Sequence, residues 1–201
     1  MKNKLLISLA GMPGAGKDEF VKAVLASKLR ELSPIILSNS DKIRDIAVLL
    51  CNLDPTRMND QDYKASVQPG TYGKTVREIL ILIGDGLRGV ISPEVNISPT
   101  LWSDIAMRRF TLGGDGLYIK KDDRRIEEYD ATLAAGGYLI YIVNTKKQAN
   151  LGDAADQAYQ EYAKSKAHYI IENNMDEQFY KDAEDVVRKI LVKEYAEILT
   201  V

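Results

Sequence analysis

Apolar runs of strand type alternate along the chain with amphipathic segments of helix type, and that alternation predicts an α/β fold. Lys4 to Ala10, with Leu5, Leu6 and Ile7, reads as the first strand. A helix from about Lys17 to Glu31 follows, presenting Phe20, Val24 and Leu25 inward. Pro34 to Ser38 is the second strand, and Ser40 or Asp41 caps a helix running to about Leu50. Asn52 to Gly73 is polar and broken by Pro55 and Pro69, which predicts an irregular excursion with a short helix near Asp60 to Val67. It reads as an insertion, because the apolar segments on both sides are needed for one core.

Thr75 to Val90 has the longest apolar helical pattern, with Val76, Ile79, Leu80, Ile83 and Leu87 on a buried stripe. Arg77, Gly84 and Arg88 share another face, where a glycine between two cations permits close approach of a ligand or a neighbouring backbone. A Pro-bounded loop, Ser92-Pro93 to Ser98-Pro99, leads to a helix from about Thr100 to Phe110 that carries Trp102. Leu117 to Lys120, Tyr138 to Val143 and His168 to Ile171 are the remaining strands. Helices over about Glu127 to Ala135, stopped by Gly136-Gly137, and over Asp153 to Lys164 separate them. A last helix, Asp176 to about Leu199, buries Phe179, Ala183, Val186, Val187 and Ile190. The sum is a five-stranded parallel sheet with helices on both faces and ligands expected at the carboxyl ends of the strands.

Composition narrows the classes. A chain of 201 residues suits one α/β domain with insertions. A net charge of −2 offers no basic field for nucleic acid. One cysteine, Cys51, rules out an intrachain disulfide and fits a reducing compartment. No apolar run reaches membrane-span length, so the expectation is a soluble cytoplasmic protein. One histidine, His168, leaves a Ser-His-Asp or Cys-His mechanism without a partner and is expected to be structural.

The chemistry sits in Gly11-Met12-Pro13-Gly14-Ala15-Gly16-Lys17, which matches G-x-x-x-x-G-K between a strand and a helix. Such glycines let successive N–H groups converge on one anion, the helix adds the positive end of its dipole, and the lysine reaches the β- and γ-phosphates. The implied ligand is a nucleoside triphosphate. Asp18 stands where a Ser or Thr hydroxyl commonly binds Mg2+. Its carboxylate either serves the metal, directly or through water, or caps the helix. Asp122, just past the third strand, is the candidate for the second Mg2+-side acid.

Gly11 to Asp18, Lys74-Thr75-Val76-Arg77-Glu78 through Gly84-Asp85-Gly86-Leu87-Arg88, Trp102, Asp122-Asp123-Arg124 with Glu128, Ala134-Ala135-Gly136-Gly137 and Ile170-Ile171-Glu172-Asn173 together resemble the deoxynucleoside monophosphate kinases of tailed bacteriophages. The resemblance runs from Leu5 to about Phe179. It implies the P-loop kinase fold with an acceptor-binding insertion, about 41–112, and a lid, about 144–165, in a homodimer using ATP and Mg2+. It places residues 11–18, Glu19, Lys146 and Asn173 with the nucleotide. Lys42, Arg77, Arg88, Trp102, Arg124 and Glu128 fall on the acceptor side, with Lys17 and Arg124 catalytic and Asp18 and Asp122 on the metal. Three positions depart from the family pattern: Arg125 replaces an aromatic residue, Lys146 and Lys147 replace arginine, and the acidic lid motif is not evident.

The expected reaction is γ-phosphoryl transfer to a deoxynucleoside 5′-monophosphate. Two other readings fit the loop: a different small-molecule P-loop kinase, such as one acting on dephospho-coenzyme A, and a nucleotide-hydrolysing switch.

Overall fold

The computed structural model describes residues 4–92, 94, 97–146 and 154–199. In chain order the elements are β1 (Lys4–Ala10), α1 (Lys17–Ala26), β2 (Ile35–Leu37), α2 (Asp41–Cys51), α3 (Gln61–Ala65), α4 (Val76–Gly86) and α5 (Leu101–Leu112). They continue with β3 (Gly116–Lys120), α6 (Ile126–Ala134), β4 (Tyr138–Asn144), α7 (Ala154–Lys166), β5 (Tyr169–Asn173) and α8 (Glu177–Leu199). The chain divides into two compact units, residues 1–37 with 109–201, and residues 38–108.

The first unit is built on a parallel sheet in the order β2-β3-β1-β4-β5. Alternate strand residues serve opposite faces. Leu5, Ile7 and Leu9 of β1 and Tyr138, Ile140 and Ile142 of β4 join Phe20, Val21 and Val24 of α1 and Phe179, Ala183, Val187 and Ile190 of α8 in one core. Ala10, Leu139 and Tyr141 point the other way, onto Tyr129 of α6 and Ala163 of α7. Each large apolar side chain buried in this way contributes about 1.5–3 kcal/mol. Because all strands are parallel, the turns after β1, β3, β4 and β5 collect on one edge of the sheet.

Helix α1 stops at Ala26, short of the expected Glu31. Ser27 is extended there and its hydroxyl accepts the Leu29 N–H, starting a 3₁₀ turn over Lys28–Leu32. The buried face consequently uses Val21 and Ala23, while Leu25 is 42% exposed. Strand β5 begins one residue later than expected and extends to Asn173, which pairs in register with Asn144. His168 precedes it with a structural role: its Nδ1 accepts the Leu139 N–H at 3.1 Å and its own N–H returns to the Leu139 carbonyl at 2.8 Å. Burial, helped by Lys193, holds this imidazole below its usual pKa, in keeping with an acceptor nitrogen.

The second unit packs Ala47 and Cys51 of α2, Leu53, Met58, Tyr63 of α3, and Val76 and Ile79 of α4 into its own core. Thr75 caps α4 by accepting the Glu78 N–H, and the Glu78 carboxylate accepts the Thr75 N–H in return. The helix closes earlier than the expected Val90. Gly89, at φ +78°, donates to the Gly86 carbonyl and Val90 donates to that of Asp85, a glycine stop that leaves Arg88 in the closing turn. Among the described residues no helix is long and apolar enough to cross a membrane.

Candidate functional site

The glycine loop leaves β1 and enters α1 in a conformation that two glycines make possible. Gly11 has φ +140°, and a Cβ there would lie 2.5 Å from the Ile142 carbonyl oxygen. Gly16, at φ +108°, occupies the N-cap of α1, where a Cβ would collide with the amide of Asn173. The first N–H groups of α1 lack partners within the helix and form the positive end of its dipole. Two asparagines hold the loop from the strand ends. Asn173 donates through Nδ2 to the Ala15 carbonyl at 2.8 Å and accepts the Met175 N–H at 2.9 Å. Asn144 donates to the Gly14 carbonyl at 3.1 Å. A carbonyl fixed on one side of a peptide plane fixes the N–H on the other, so the bond to Ala15 orients the Gly16 N–H. Asn173, expected with the nucleotide, uses both ends of its amide on backbone. Asn144 was not singled out by the sequence; its signal is an amide at the end of an apolar strand beside a glycine loop.

Lys17 folds back over the loop and donates to the Gly11 carbonyl at 2.5 Å and the Met12 carbonyl at 3.2 Å. Burial, reinforced by the positive charge of Arg124, lowers its pKa to about 8. The carboxylates of Asp122, Asp18 and Asp123 oppose that shift, so all four groups act electrostatically on one ammonium. The Asp18 carboxylate meets Lys121 Nζ at 2.7 Å, and its side chain is 74% exposed. Glu19 binds Lys22 at 2.6 Å and accepts the Tyr180 hydroxyl of α8 at 2.7 Å.

The turn after β3 carries Asp122 and Arg124 and is fixed from within. Asp123 is completely buried; its Oδ2 accepts the Ser8 hydroxyl of β1 at 2.5 Å and its Oδ1 pairs with the equally buried Lys120 at 2.8 Å. The Tyr129 hydroxyl donates to the Asp123 carbonyl at 3.2 Å. Glu128, expected on the acceptor, is buried, and its carboxylate accepts the N–H groups of Arg124 at 2.7 Å and Arg125 at 3.2 Å. Ser8 and Lys120 were not singled out by the sequence, although polar residues in otherwise apolar strands were a visible signal, and Asp123 entered only as the middle of the Asp122-Asp123-Arg124 motif.

In the second unit, Lys42 is paired with Asp45 at 2.7 Å on the surface. Arg77 is exposed and donates to Gln61 Oε1 at 2.9 Å. Arg88 is mostly buried, with Nη1 3.7 Å from the Asp85 carboxylate. At Gly84 the face it shares with the two arginines is a packing face. Trp102 is 1% exposed and its indole N–H donates to the Gly84 carbonyl at 2.8 Å, while a Cβ on Gly84 would press Ile43. Lys146 is exposed just past β4; Lys147 lies outside the described residues.

Among the described residues no cluster of three or more His, Cys, Asp or Glu side chains forms a metal cage. Mg2+ needs none: it is commonly held by one or two carboxylates together with substrate phosphates and water. Asp18 and Asp122, both acting on Lys17, fit that donor set.

A glycine loop on β1, a lysine opening α1, and a parallel sheet ordered 2-3-1-4-5 define a P-loop kinase fold. Among solved structures, the chain is similar to the dephospho-CoA kinase from Campylobacter jejuni, at 20% identity and a TM-score of 0.50 over 94% of this chain and 98% of that one. It is similar to the shikimate kinase from Bacteroides thetaiotaomicron at 15% identity and a TM-score of 0.50, over 93% and 98%. The sequence matches no protein-family model and no curated protein.

Proposed function

We propose that the chain is an ATP-dependent kinase of deoxynucleoside 5′-monophosphates. One observation carries the phosphoryl-transfer reading: on a single edge of the sheet, the glycine loop, Lys17, Arg124, Asp122 and Asp18 form one electrostatic group. An acceptor phosphate oxygen attacks the γ-phosphorus, the bond from that phosphorus to the β,γ-bridging oxygen breaks, and ADP leaves. No side-chain nucleophile is needed. The loop N–H groups and Lys17 hold the donor phosphates, and Arg124 neutralises charge on the transferring group. Asp18 and Asp122 would hold Mg2+, which supplies further neutralisation when bound.

The choice of acceptor rests on the ordered set of motifs from Lys74 to Arg88 and from Asp122 to Glu128. Arginines suit it, because their planar forks bind phosphate oxygens bidentately and stay charged. Within this reading the insertion, about 41–112, supplies the acceptor site, and the protein is a homodimer. Dephospho-coenzyme A is the second acceptor to try, since the loop, the sheet and the Ile170-Ile171-Glu172-Asn173 pattern suit that class too. A coupled ADP-release assay over the four deoxynucleoside monophosphates, dephospho-coenzyme A and no acceptor separates the possibilities. Release that depends on a deoxynucleoside monophosphate is expected. Release at the same rate without acceptor would replace the kinase reading with a hydrolytic switch.

A further inference from the structure

Resting on the kinase reading, we propose that Asp123 is a positioning residue, a buried carboxylate that ties β1 to β3 and thereby sets the turn on which Asp122 and Arg124 address Lys17. Three observations converge. Asp123, Lys120 and Ser8 are each 0% exposed, so their bonds are made in the dry interior. The carboxylate uses its two oxygens on two different strands, Oδ2 on Ser8 of β1 and Oδ1 on Lys120 of β3. The flanking residues alternate outward: Asp122 is half-buried and Arg124 exposed, and both act on Lys17.

The geometry explains why a charge is buried there. Desolvating an ion pair costs several kcal/mol per ion, and apolar residues of similar volume commonly serve stability as well or better. An apolar side chain at 123 would fill the space, but it would not fix direction. Here direction is fixed three times in three residues: by the Asp123 carboxylate, by Tyr129 donating to the Asp123 carbonyl, and by Glu128 accepting the N–H groups of Arg124 and Arg125. Ser8 lies three residues before Gly11, so the same carboxylate references the turn to the strand that launches the phosphate loop. Displacement of a catalytic group by about 1 Å can cost on the order of a hundredfold in rate.

The test separates positioning from packing. Asp123→Asn, Ser8→Ala and the paired replacement Lys120→Met with Asp123→Leu are compared with wild type in thermal unfolding, in ADP affinity measured without metal, and in kcat and KM. Turnover is read as acceptor phosphorylation or, if wild type phosphorylates no acceptor, as acceptor-free ATP hydrolysis. Failure of the kinase reading therefore shows in wild type, and failure of the positioning reading shows only in the variants. The paired apolar variant is expected to unfold at or above the wild-type temperature and to bind ADP within about twofold, yet to lose roughly ten- to a hundredfold in kcat. Wild-type kcat in that folded variant would overturn the proposal. If the paired variant does not fold, Ser8→Ala decides, because it removes one anchor with almost no change in volume. A fall in kcat at unchanged unfolding temperature supports positioning, and an unchanged kcat overturns it.

Discussion

In the proposed reaction Lys17 holds the donor phosphates, and it is also a base poised within reach of neutral pH. Burial and Arg124 bring its pKa to about 8, and a bound polyphosphate, as a close anion, must raise it again. The sign follows. Free protein above about pH 8 carries a neutral lysine, and binding ATP there requires uptake of a proton. ATP affinity should be constant below about pH 8 and fall toward tenfold per unit above it, until the pKa of the complex is reached. Calorimetry at pH 8.5 in two buffers of different ionisation enthalpy should register the proton taken up, and Lys17→Met should abolish that uptake while weakening ATP binding. Asp18 illustrates the opposite extreme. Its carboxylate is exposed where it meets Lys121, and surface pairs of this kind contribute about 0–1 kcal/mol. Asp18→Ser should therefore unfold within a few degrees of wild type and retain measurable Mg2+-dependent turnover, because a hydroxyl at this position is the common arrangement. Complete loss in a folded variant would show that the carboxylate does something a hydroxyl cannot.

At the scale of elements, the ends of β4 and β5 act as a clamp on the loop. Removing the Asn173 amide leaves the Ala15 carbonyl without its buried donor, a cost of about 1–3 kcal/mol. Asn173→Ala should accordingly lower the unfolding temperature and weaken ADP binding, whereas Asn173→Gln, with one methylene more under Gly16, should do no better. Equal ADP affinity in wild type and Asn173→Ala would mean that the loop holds its shape unaided. The strands were legible because bulky apolar runs such as Tyr138 to Val143 have one plausible use, burial on both faces. The loop was legible because glycine spacing and Lys17 encode it locally. The clamp and the Asp123 anchor were not, because Asn173 meets Ala15 across 158 residues and Asp123 meets Ser8 across 115. Spacing along the chain says nothing about such pairs. Helix lengths erred where a local hydrogen bond overrode propensity, at Ser27 after α1 and at Gly89 after α4.

For the molecule as a whole, the proposed reaction asks a chain of net charge −2 to bring two polyanions together, so attraction has to come from a few placed cations rather than from a general field. Arg77 and Arg124 are exposed, whereas Arg88 is nearly enclosed and leans on Asp85. Arg77→Ala and Arg124→Ala should leave unfolding unchanged and lower kcat/KM for the acceptor about ten- to a hundredfold, the equivalent of a lost charge-assisted bond of about 1.5–3 kcal/mol. At Arg124 the loss should fall mainly on kcat. Arg88→Ala should in addition lower the unfolding temperature. Steady-state kinetics that vary both substrates check this; a rise in KM for ATP alone would move these arginines to the donor side. Finally, Cys51 is the chain's one thiol and lies buried among Ala47, Leu53, Met58, Tyr63, Val76 and Ile79. A thiol reagent can reach it only when residues 38–108 open, so its labelling rate is an intrinsic clock for the breathing of that unit, read without any added probe and separately from the unfolding of the sheet.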